Sequence, residues 1–245
     1  QVVYYSIKTN GEKEIENLIN NFLIEKNSFI FESVEKGFIK GRYTIFGRSP
    51  DKIWEFNNNN CKLNYKNKSI KLKGSPKDNI EKIIENFKFD IPKNLPPISS
   101  ILSGYFSYDI IRYIERIPNS TKNDLNIPDA RILRPRNLVI HDNIKKKIYY
   151  VENVYSDYKI KNYKEFYESV ISKFKLYENY ENIKLPEEFT YKKNKNLIKS
   201  NTSKKQFTSL VKKAKKYIKK GDIFQVVISQ RFERKIEKKP IEIYN

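Results

Sequence analysis

Few side chains in this 245-residue sequence are of a type and spacing that could do chemistry. The sharpest is Gln225, in GDIFQVVISQRF (221–232). A period of two sends Phe224, Val226, Ile228 and Phe232 to one side and Gln225, Val227, Ser229 and Arg231 to the other. A strand face of Gln, Ser and Arg either meets solvent or lines a polar cleft. Glu32 and Ser33 follow the apolar run SFIF, where a carboxylate and a hydroxyl either satisfy turn amides or meet a ligand. Asp109 and Arg112 stand three apart, the spacing of a helix-surface ion pair, and no chemistry is assigned to them. His141 is the only histidine. Just before Asp142 on a hairpin it reads as structural or exposed rather than as a base, and no G-x-S-x-G nucleophile accompanies it. Cys61 is alone, which excludes an internal disulfide and a Cys-based metal site and fits a reducing compartment.

Gln225 must be positioned by what precedes it. Ser203 with Gln206 has the form of a capping box, and Phe207, Leu210, Val211, Ala214, Tyr217 and Ile218 recur at the spacing of one helix face. Gly221 stands where a left-handed cap closes such a helix, and the switch to period two predicts a strand through Phe232. Upstream, strands are expected at Val2–Ile7, Ser28–Glu32, Arg42–Gly47, Ile53–Phe56, Cys61–Tyr65 and Ser69–Lys73, with turns at Gly37, Gly41 and Asn57–Asn60. Asn10 is placed to cap a helix facing inward through Ile15, Leu18, Ile19, Phe22 and Leu23. Pro76 opens a helix carrying Ile80, Ile83, Ile84 and Phe87. Gly104–Ile117 reads as a strand end running into a short helix, with Tyr105, Tyr108, Ile111 and Tyr113 as its bulk. Asn137–His141 and Lys147–Val151 form a hairpin turned at Asp142–Lys145. Tyr163, Phe166, Tyr167, Val170, Ile171 and Phe174 mark another amphipathic helix. Helices mixed with antiparallel hairpins, without regular βα alternation, make the fold class α+β: antiparallel sheets with flanking helices.

The chain is strongly basic, with 49 Lys and Arg against 29 Asp and Glu. Lysines outnumber arginines forty to nine and are spread along every segment. Nucleic-acid recognition favours Arg forks in clustered patches, so the charge is read as coding bias toward Lys, Asn and Ile and no nucleic-acid partner is assigned. The one Arg cluster, Arg131, Arg134 and Arg136 around Pro135, is short. With no long apolar run and no signal peptide, the expectation is a cytoplasmic protein without a membrane segment. The sequence starts at Gln1 and stops at Asn245 inside a pattern, and it reads as a fragment.

Three stretches resemble anthranilate synthase component I, of the chorismate-utilising enzymes. GDIFQVVISQRF, after the helix KKAKKYIKKG, is similar to the entry of that family's chorismate-binding domain. FESVEKGFIKGRYTIFG (31–47) resembles its Glu-Ser and Gly-Arg-Tyr segment, and GYFSYDIIRYIERI (104–117) its GYxxYDxxRxxE segment. The resemblance implies an N-terminal domain over 1–180, a linker over 181–200 and the start of the chorismate-binding domain over 201–245. It implies the conversion of chorismate and ammonia to anthranilate and pyruvate, with Mg²⁺ as cofactor, a glutamine amidotransferase subunit (component II) as ammonia source, and L-tryptophan as feedback inhibitor.

On that resemblance Ser33, with Glu32, takes the effector position, where a hydroxyl bonds the ammonium or carboxylate of an amino acid. Phe29, Ile30 and Phe31 replace the family's usual leucines. Arg42 and Tyr43 are either an edge-strand pair over the core or a support for the effector pocket, the structural role being favoured. Gln225 stands where water-adding relatives place a lysine base. A neutral side chain suits ammonia, which already has a lone pair. No Mg²⁺ ligand maps onto these residues, so the fragment is expected to be inactive alone. Two alternatives remain: aminodeoxychorismate synthase component I, and a non-catalytic module that binds tryptophan or a partner subunit.

Overall fold

The computed structural model describes residues 1–9, 15, 18, 22–23, 25–32, 41–58, 60–120, 123–178, 198–236 and 240–244. The chain divides into two compact units, Gln1–Ile183 and Lys184–Asn245.

The first unit is built on one antiparallel ribbon, β3 (Tyr43–Asn57) against β7 (Ala130–Asp142). Sequence reading expected two separate strands at Arg42–Gly47 and Ile53–Phe56. They are one strand with a register shift between Pro50 and Lys52. The cause is local. Pro50 faces Pro135 across the ribbon, and neither has an N–H to give to the ladder. Ser49 turns to a φ of 49° beside them, and the strand continues after a bulge.

The break divides the sheet into two halves. In one, β8 (Lys147–Asn153) pairs with Asn137–Asp142, β1 (Val2–Lys8) pairs with β8, and β2 (Phe29–Phe31) pairs with Gly47–Ile45. In the other, β6 (Ser103–Phe106) pairs with Ala130–Leu133, and β4 (Asn60–Tyr65) and β5 (Lys68–Lys71) extend the sheet beyond β3. The β4–β5 turn has Lys66 and Asn67 both at positive φ, the two-residue hairpin turn whose twist matches the strands.

Each half has its own core. Trp54, Phe56, Cys61, Ala130 and Ile132 pack beneath α1 (Pro76–Glu85), with Ile80 and Ile83 against them. Ser75 caps α1 by accepting from the Asp78 N–H, and Pro76 follows at the first turn. Ile84, expected on the inner face, is exposed, and Asn79 is buried, its amide donating to the Lys73 and Ser75 carbonyls. In the other half Leu138, Ile140, Tyr149 and Val151 pack with Leu95, from the proline-rich loop over 91–97. The opposite face of that half buries Phe46, Val139 and Tyr150, and Phe22 meets Phe46 edge-on while Phe174 lies against Tyr150. Phe174 and Val170 come from α2 (Tyr163–Glu178), whose Tyr163 and Tyr167 stay at the surface, where phenols remain hydrated. Ile15, Leu18 and Phe22 are helical as expected, while the cap proposed at Asn10 lies outside the described residues.

Ionic pairs clasp the proline break. Arg134 donates from Nε and Nη2 to both oxygens of Asp51, at 2.8 and 2.5 Å, and from Nη2 to Asp157 at 2.8 Å. Lys52 reaches Asp157 at 2.6 Å, and the Arg134 guanidinium stacks over Tyr155 at 4.0 Å. The buried Tyr155 hydroxyl donates to the Pro135 carbonyl at 2.9 Å. Burial pushes that phenol well above its usual range. Removing the cation would strand Asp51 in a partly buried place and leave Asp157 to Lys52 alone. Arg134→Ala is therefore expected to destabilise this unit by about 3 kcal/mol, read from urea unfolding of wild type and variant. A loss below about 0.5 kcal/mol would mean that the clasp is only a surface pair.

Candidate functional site

Gln225 belongs to the second unit. Its support is α3 (Lys204–Lys220), and the helix ends are as the sequence predicts. Gln206 N–H donates to Ser203 Oγ at 3.3 Å and Ser203 N–H to Gln206 Oε1 at 2.9 Å, a reciprocal capping box. At the other end Gly221 adopts a φ of 76°. Its N–H bonds to the Ile218 carbonyl and that of Asp222 to the Tyr217 carbonyl, which closes the helix with a left-handed turn.

The strand expected through Phe232 does not form there. Only Phe232–Glu233 (β10) pairs, with Lys199–Ser200 (β9), and Ala-free residues 223–231 have no ladder partner among the described residues. Phe224 is 100% exposed and Val227 81%, and Gln225 is exposed between them. Alternation assigns faces, but a strand exists only where a neighbour takes its N–H and C=O groups. Near the pair, Gln230 donates to Ser200 Oγ and the Thr202 carbonyl, and Arg231 N–H to Asn201 Oδ1, so a few polar bonds anchor the end of the segment.

The Glu32 and Ser33 position belongs to the first unit. Glu32 is exposed directly after β2, and Ser33 lies outside the described residues. A feature that sequence reading passed over holds this short strand. A Cβ added at Gly47 would sit 2.1 Å from the Phe29 ring, so the ring occupies the space a side chain would fill. Glycine inside a strand pattern is the signal that marks such close approach. Phe29 and Phe31 also touch, with ring centroids 5.0 Å apart.

Arg42 and Tyr43 have the structural role, Tyr43 standing opposite Asp142 on β7. Arg42 forks onto Asp142, Nε to Oδ1 at 3.2 Å and Nη2 to Oδ2 at 2.8 Å. Asp142 Oδ1 also accepts from the N–H groups of Ile144 and Lys145, which closes the β7–β8 turn. His141 is buried on β7 opposite Thr44, a structural position.

The 104–117 stretch is a brace. A Cβ at Gly104 would meet the Arg131 carbonyl oxygen at 1.9 Å, so only glycine fits there. Arg112 bonds Asp109 at 3.0 Å and the Pro118 carbonyl at 2.6 Å. Tyr113 donates to Asp129 at 2.6 Å, and burial together with that carboxylate raises its phenol far above the usual range. Tyr108, expected as bulk, is 90% exposed: its 3₁₀ turn (Tyr108–Tyr113) directs Tyr113 inward instead. The arginines around Pro135 are all committed to carboxylates, Arg131 to Glu55, Arg134 to Asp51 and Asp157, and Arg136 to Glu152.

Against known families, the model described as "chorismate binding enzyme" matches residues 27–245. The chain belongs to the chorismate binding enzyme family. It is 32% identical over 238 residues to anthranilate synthase component 1 of Acetivibrio thermocellus, covering 93% of this chain and 47% of that protein. To the counterpart of Cereibacter sphaeroides it is 27% identical over 252 residues, covering 100% of this chain and 50% of the relative. The crystal structure of anthranilate synthase component I from Streptococcus pneumoniae matches with a TM-score of 0.64 at 23% identity, over 91% of this chain and 47% of that one, which shows a shared fold. The chain thus spans about half the length of the curated relatives it matches. The match runs through both units, so Glu32 and Gln225 lie in matched sequence.

Burial pushes the Asp142 carboxyl up, but the bond from Arg42 and those from the Lys145 and Ile144 amides outweigh it and hold it below the ordinary carboxylate range. Asp157 is likewise lowered on balance, burial being outweighed by Lys52 and Arg134. A folded-state value below the unfolded value of about 3.9 contributes stability that is complete above about pH 5 and is lost as pH falls through the depressed values. Urea midpoints measured between about pH 2 and pH 6 should therefore fall toward acid, with a shallower slope in Asp142→Asn. An unchanged slope in that variant would remove Asp142 from the account.

Proposed function

We propose that this chain is part of the large subunit of an anthranilate synthase, the enzyme that converts chorismate and ammonia to anthranilate and pyruvate. The observation that supports this most is the family match over 27–245 together with relatives whose names are anthranilate synthase component 1. Gln225 refines it. At the position where a charged base would activate water stands a neutral amide, which suits an ammonia nucleophile. The designation "component 1" of the relatives fits a partner, here a glutamine amidotransferase subunit that supplies the ammonia.

Mg²⁺ is the cofactor that this reaction implies. Among the described residues no group of three or more His, Cys, Asp or Glu side chains comes together to hold a metal. The described residues do not fit the ion. The resemblance implies that its ligands lie in the part of the relatives' length that this chain does not span. Among the described residues no helix is long and apolar enough to cross a membrane.

Within that enzyme the first unit is the regulatory part, with Glu32 and Ser33 at the L-tryptophan position, and Gln225 contributes to the chorismate site. Purified 1–245, given chorismate, ammonium and Mg²⁺, should form no fluorescent anthranilate. A protein extended to the length of its relatives should form it, and Ser33→Ala in that protein should weaken tryptophan inhibition about tenfold, the loss of one bond to a charged group. Anthranilate formed by 1–245 alone would refute the division of labour. An aminodeoxychorismate product from the extended protein would favour the sister enzyme, and saturable tryptophan binding without any chorismate turnover would favour a regulatory module.

A further inference from the structure

Where the proline break meets the β4–β5 hairpin there is an open cleft of about 520 Å³, within the size range of small-molecule sites. None of its lining residues belongs to the 29–33 stretch or to the second unit. Its apolar surface comes from Pro50 and Ile53, with Tyr65 and Tyr158 as aromatic members. Asn64 and Ser69, paired in register across β4 and β5, add an amide and a hydroxyl.

The charge in the cleft is unbalanced. Asp51, the one carboxylate in the lining, is held by Arg134. Lys66 and Lys68 line the cleft, are exposed, and form no ion pair among the described residues. Arg136 also lines it. Its guanidinium stacks on Tyr158 at 4.2 Å and its Nη2 is bonded to Glu152. Two unneutralised ammonium groups in the same lining as this guanidinium favour an anion.

We propose that this cleft binds a small aromatic carboxylate, its acid group toward Lys66, Lys68 and Arg136 and its ring along Tyr65, Tyr158 and Ile53. Inorganic phosphate would satisfy the cations but leave the apolar part of the cleft in water. A neutral aromatic amine would do the reverse. The site is distinct from the effector position at Glu32 and Ser33, and its existence does not depend on the reaction proposed above.

The test uses the 1–245 chain and the fluorescent probe 2-aminobenzoate, with binding followed by fluorescence anisotropy. One saturable site per chain is expected. Truncating Arg136 would strand the buried Glu152, so the exposed lysines are the better targets. Lys66→Asn tolerates the positive φ at that turn position and Lys68→Gln keeps the strand. The double variant should retain the wild-type unfolding midpoint and bind at least tenfold more weakly. Aniline should not compete, and phosphate should compete only weakly. No saturable binding at millimolar probe overturns the proposal, as does unchanged affinity in the double variant. So does competition by aniline or phosphate as effective as that of unlabelled benzoate. Loss of binding in Glu32→Gln would place the probe at the effector stretch and equally overturn it.

Discussion

Two prolines that face each other across a β-ribbon impose the constraint on which the first unit depends. Pro50 and Pro135 remove donors from both strands at one level, so the ladder between β3 and β7 has to break there. The break is held by charge rather than by backbone. Arg134 gathers Asp51 and Asp157, Lys52 adds to Asp157, and Tyr155 lies beneath the guanidinium while its hydroxyl takes the Pro135 carbonyl. Isolated exposed pairs contribute little, but a partly buried network that shares one guanidinium specifies a geometry. The two halves of the sheet, with their separate cores, are thereby kept in one register.

This division explains where chemistry is and is not found. One half presents Glu32 at the end of a three-residue strand seated on Gly47, and its Arg42–Asp142 pair closes the β7–β8 turn. The other half uses the 104–117 motif as a brace around Asp129, which accepts from Tyr113 and from the Asn58 amide. The junction itself leaves a cleft lined by Lys66, Lys68 and Arg136. The second unit has a helix with both ends satisfied and, after it, a segment in which Phe224, Gln225, Val226 and Val227 stand in solvent.

Much of this was legible in the sequence. Helix ends were readable because capping is local chemistry, as Ser203, Gln206 and Gly221 demonstrate, and Ser75 with Pro76 follows the same rule. The 3,4,7 spacing located α2 and α3 for the same reason. What was illegible depended on partners distant in sequence. The alternation at 223–231 states which side chains share a face but not whether a neighbouring strand exists, and among the described residues β9 pairs only with Phe232 and Glu233, beyond that run. The continuity of β3 was hidden by Pro50, which in isolation reads as a strand end. The clasp joins Asp51, Arg134 and Asp157, positions that no local pattern connects. Among the site residues, Gln225, Ser33 and Glu32 were named through resemblance, whereas Arg42 acquires its role only from Asp142, which the fold places beside it.

The first unit has a paired sheet with two cores, whereas the segment that carries Gln225 has no ladder partner among the described residues. Amide hydrogen exchange on the 1–245 chain tests it most directly, since exchange reports the opening free energy of each backbone bond. The account predicts slow exchange for the bonded amides of β3, β7 and β8, and exchange near the unprotected rate for Phe224 through Ser229. Protection at Gln225 and its neighbours equal to that in β7 would contradict it, because the segment would then be a paired strand and the site complete within this chain.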